Sequence, residues 1–74
     1  EDQKAILKPI YKTLEVDKTA ISYNRALGAI SAYKTNYIDP QMAGNMAMDD
    51  VSITLAKIYA GYEKRRNEMS YGLR

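Results

Sequence analysis

Residues 17–38, DKTAISYNRALGAISAYKTNYI, decide the fold. Large side chains recur at Tyr23, Leu27, Ile30 and Tyr37, spacings of four, three and seven that lie along one face of an α-helix. Asp17 stands at the N-cap position, where its carboxylate can accept from backbone N–H groups of the first turn. Asp39-Pro40 closes the segment, because proline cannot continue the ladder and turns the residue before it out of the α region. A rod of about 20 residues is roughly 30 Å long, the diameter of a small domain.

Gly28 lies in the middle of this rod, where it costs about 1 kcal/mol relative to alanine. Ser22, Ala26 and Ala29 fall at helical spacing, and Gly28 with Ala32 makes a small-x-x-x-small step. A strip with so little side chain lets another helix approach closely. A matching strip follows in Ser52, Ala56, Ala60 and Gly61. The reading is therefore a close crossing of two long helices, 18–37 and 50–71, joined by an eleven-residue connector that lets them run antiparallel. The plainer alternative is that the small residues are good helix formers on a wetted face.

The second long helix has its own period in Val51, Leu55, Ile58 and Tyr62, with Met69 two turns on. Asp49 or Asp50 caps its start and Gly72 supplies its stop. Residues 1–16 carry Ile6, Ile10 and Leu14 at i, i+4 and i+8, with Leu7 and Tyr11 beside them. This spacing predicts a third helix, distorted at Pro9, whose ring opposes the carbonyl of Ala5. In the connector 39–49, DPQMAGNMAMD, Asp39 and Pro40 open a short fourth turn that Gly44-Asn45 keeps brief. The expected fold is an all-α bundle of three main helices with that short addition. Its core is Ile6, Ile10, Leu14, Leu27, Ile30, Val51, Leu55 and Ile58, with Tyr23, Tyr37 and Tyr62 at the margins.

At 74 residues the chain makes one domain, 1–74, near the lower size limit for folding alone. It has no Cys, so neither a disulfide nor a thiolate metal site staples it. A core this thin is commonly supplemented by self-association, and a homo-oligomer is expected. The opening residue is Glu1 rather than Met, which reads as a processed product or an excised piece; compartment is not indicated. No apolar run approaches the roughly 20 residues of a membrane span.

Histidine is absent as well, which removes the commonest general base and transition-metal ligand. No P-loop, dinucleotide glycine signature, Ca²⁺ loop or Cys/His metal spacing occurs. Asp49-Asp50 would splay apart on a helix, and capping accounts for the pair. The chain therefore reads as non-catalytic, with no cofactor or metal, and as a binding module.

Two classes of partner remain. The first is protein, including a second copy. Seven Tyr without Phe or Trp suit shallow contact surfaces, and three Met within seven residues suit adaptable ones. Tyr33, Tyr37, Met42, Met46, Met48, Tyr59 and Tyr71 are the candidate contacts. The competing account of the methionines is that they fill the core. The second class is nucleic acid, met by Lys4, Lys8, Lys12, Lys64, Arg65 and Arg66. Against it, Lys4, Lys8 and Lys12 form the solvated face of an amphipathic helix, and Glu63 and Glu68 interleave with the later cations and partly neutralise them. The net charge of +2 is too small to favour nucleic acid by itself. The first class is preferred, an order that reverses if the cations cluster on one face.

Overall fold

The computed structural model describes residues 3–72, with side chains for residues 4–67. It contains four helices and no strand among the described residues: α1 Gln3–Leu14, α2 Tyr23–Thr35, α3 Pro40–Met46 and α4 Asp50–Gly72. The predicted short turn is a two-turn helix. Asp39 caps it by accepting from Met42 N at 2.7 Å, with Pro40 in the first turn. Asp49 caps α4 in the same manner, accepting from Ser52 N at 2.7 Å. That bond holds the Asp49 carboxyl below the usual carboxylate range. α1 runs through Pro9 as one helix.

α2 is shorter than its sequence period predicts. Its N-cap is Ser22, whose hydroxyl accepts from Arg25 N. Asp17 instead holds a separate turn, accepting from Thr19 N at 2.9 Å. Both residues are good caps, and a tertiary bond separates them. The buried Tyr11 hydroxyl donates to the carbonyls of Ile21, at 2.8 Å, and Ser22, at 3.2 Å. That grip, with Ile21 buried beneath it, fixes the turn and postpones the helix.

α1 and α2 end alike. Val16 N reaches Tyr11 O, Ile38 N reaches Tyr33 O, and the residue before each, Glu15 and Tyr37, takes a positive φ of 57° and 59°. This left-handed stop is a position that usually carries glycine. It ends α2 at Thr35 and leaves Tyr37 92% exposed, outside the core margin where periodicity placed it.

The core is Leu7, Ile10, Tyr11, Ile21, Ala26, Ile30, Ala43, Ala56, Ile58, Tyr59 and Tyr62. Ile6, Leu14, Leu27, Leu55 and Tyr23 are half-buried against it, whereas Val51, expected inside, is 41% exposed. α4 is the element that the others pack around, most heavily α3 and α1, and less α2.

The close α2–α4 crossing is therefore only half present. Ala26 and Ala56 are buried, but Gly28 and Ala60 are exposed. Gly61 meets α1 instead, with Ile10 filling the space beside it. Direction differs from expectation too. Ile21, just before α2, shares a cleft with Asp50 and Thr54, and Lys34 near its end pairs with Glu63. α2 and α4 thus advance in the same general sense. The connector contains a helix, and α3 makes the return.

Candidate functional site

The aromatic contact candidates divide into inward and outward groups. Tyr33 and Tyr59 stack with ring centres 5.1 Å apart, and the Tyr59 hydroxyl donates to Ile38 O at 2.7 Å. Both rings are thereby committed to joining α2 to α4. Burial pushes the Tyr59 hydroxyl pKa up, and the charges of Glu63 and Asp39 add to the shift. Tyr37, Met42, Met46 and Met48 face solvent, Met48 almost completely. The methionines therefore do not fill the core, which takes Ala43 from this segment. The side chains of Glu68, Met69 and Tyr71 lie outside the described residues.

The cationic candidates do not share one face. Lys64 and Arg65 line a cleft of about 260 Å³ between α1 and α4, with Lys57 completing its charged wall. Pro9, Ile10, Leu14 and Gly61 make its apolar floor, and Thr13 offers a hydroxyl at its edge. Arg66 lies on the opposite flank of α4, in a cleft shared with Lys34, Leu27 and Ile30. At 100° per residue, Lys4 and Lys8 fall on the Tyr11 flank of α1 and Lys12 lies between Tyr11 and Pro9; none of the three lines the cleft. All three are exposed, as the solvated-face account requires.

Sequence reasoning missed Lys57, although the spacing of 57, 61, 64 and 65 is the stripe of one helix face. Lys34 Nζ lies 2.9 Å from Glu63 Oε2, a charge contact rather than a directed hydrogen bond, and the same ammonium sits 5.8 Å from the centre of the Tyr62 ring. Glu63 is thus drawn toward α2. Among the described residues no carboxylate lines the 260 Å³ cleft itself, although Lys57 also borders Glu15, Asp17 and Asp50 in the cleft beyond it.

A low-dielectric floor beneath three cations favours a multivalent anion, since Coulomb attraction there is screened less than on an open surface. Among the described residues no three carboxylates gather to hold a metal ion. No described helix is long and apolar enough to cross a membrane.

Over 69 residues, 90% of its length, the chain is 33% identical to the ATP-dependent DNA helicase PcrA of Staphylococcus epidermidis. The likeness to the protein of the same name from Staphylococcus aureus is of the same extent. The chain spans 10% of the length of those relatives. No family model matches the chain, and no solved structure matches it.

Proposed function

We propose that the chain is a helical, in itself non-catalytic module of a DNA-helicase-type protein that holds nucleic acid by its phosphates. Lys57, Lys64 and Arg65 carry the contact. The observation behind the reading is that the likeness to DNA helicases extends along nine-tenths of the chain. The cations Lys57, Lys64 and Arg65, gathered on one wall of the α1–α4 cleft, support it. Phosphate contacts of this kind are independent of base sequence and give way to salt.

Anisotropy of a labelled single-stranded oligonucleotide tests the reading. Three phosphate contacts give a log–log salt slope of about −2, so affinity falls roughly fifteenfold between about 50 and about 200 mM salt. Replacing Lys57, Lys64 and Arg65 with alanine removes most of that slope. No binding by the unaltered chain at the lowest salt overturns the proposal.

A second reading, a protein-assembly module, draws on the outward Tyr37, Met42, Met46 and Met48. Exposed methionines suit an adaptable protein contact. Binding through them is insensitive to salt, which separates the two readings in one titration.

A further inference from the structure

The α1–α4 cleft continues past Lys57. Leu14 and Lys57 also line a second cleft, of about 440 Å³, between the end of α1 and the start of α4. Glu15, Asp17 and Asp50 rim this second cleft, over apolar Val16, Ile21 and Val51. The two clefts thus make one groove, anionic at one end and cationic at the other. Along α4 it runs from Asp50 to Arg65, about 22 Å at the α-helical rise.

The arrangement is symmetric about its middle. Asp50 lies seven residues before Lys57 and Lys64 seven residues after, two turns each way, so all three share one face of α4. A face with opposite charges at equal distances from its centre is complementary to itself after a half-turn. This is the condition for an isologous two-fold contact. Val51, left 41% exposed on the groove wall, and half-buried Leu14 supply apolar surface for such a contact.

We propose that the α1–α4 groove is the interface of a symmetric pair of this chain, with the two-fold axis beside Lys57. Lys64 and Arg65 of each copy then face Glu15, Asp17 and Asp50 of the other, twice over. The two Lys57 ammonium groups meet near the axis and work against the contact, so pairing is weak and tunable. Pairing also covers the three cations assigned to nucleic acid, and the two occupants compete. The pair does not rest on the nucleic-acid reading, because the charge symmetry is independent of it.

Charge exchange followed by sedimentation equilibrium tests the pair. Glu15→Lys with Asp50→Lys makes an acid-to-base variant; Lys64→Glu with Arg65→Glu makes a base-to-acid variant. Asp49, not Asp50, caps α4, so these exposed changes leave the fold's bonds intact. Each variant alone has its dimer dissociation constant raised about tenfold or more. Mixed in equal amounts, the two recover association as a heterodimer, and Lys57→Met in the unaltered background tightens the pair. The proposal is overturned if the unaltered chain stays monomeric at millimolar concentration. It is equally overturned if both variants keep their helical circular dichroism and their mixture fails to associate. Oligonucleotide binding by the unaltered chain, measured at concentrations where it is monomeric, reports on the nucleic-acid reading separately.

Discussion

Gly28 in α2 and Gly61 in α4 interrupt long helices in similar company, each among alanines spaced for close approach. Their surroundings differ. A methyl group built at Gly61 comes 3.2 Å from Ile10 Cγ2, whereas one built at Gly28 meets nothing within 4 Å. A strip of small residues permits a neighbour without summoning one. A large side chain on the facing element decides, and Ile10 projects from α1 while nothing comparable reaches Gly28. α2 is held to α4 by other means: stacked tyrosines, a hydroxyl bond to the Ile38 carbonyl and the Lys34–Glu63 pair.

Breaking the tight side has the largest effect. Ile10→Ala empties the space against Gly61 and costs about 2–5 kcal/mol, a large share of the stability of so small a bundle. Urea denaturation measures it, and a loss below about 1 kcal/mol would mean that the α1–α4 seam is not a main support. On the other side, Tyr59→Phe leaves the Ile38 carbonyl without its donor and costs about 1–2 kcal/mol, with the tyrosine stack kept. An unchanged midpoint would show that stacking alone carries the α2–α4 join.

The smallest changes sharpen the comparison most directly. Gly28→Ala has open space and gains about 1 kcal/mol of helix propensity. Gly61→Ala has the same propensity to gain but must displace Ile10, so its net effect falls below that of Gly28→Ala. Equal stabilisation of the two variants, measured by thermal melting, would erase the distinction between the two sites.

The same contrast explains what can be read from the chain. Asp39 acts as the cap its position announces, and of the two caps the sequence offers for α4 the structure uses Asp49; each joins a side chain to a backbone N–H three residues on. Asp17 and Ser22 are each locally adequate as the cap of α2, and only Tyr11, ten residues away from Ile21, distinguishes them. Tyr37 continues the apolar period, yet the left-handed turn there ends α2 before it. Of the cationic candidates, Lys64 and Arg65 belong to one wall and Arg66 to another. Their adjacency in sequence conceals this, because consecutive residues on a helix point 100° apart. Lys57 joins the wall only when α1 is in place to define the cleft.

Sequence alone determined that the chain is all-helical and that Asp39 caps the short helix. Each of these rests on interactions spanning about one helical turn, or on composition. Tertiary structure decided that α4 is the hub, that α2 runs along it in the same sense, that Gly61 is filled while Gly28 is open, and that Glu63 pairs with Lys34. Those outcomes depend on which apolar faces bury one another. Burial is non-directional, and several pairings of these helices would satisfy the same periodic pattern.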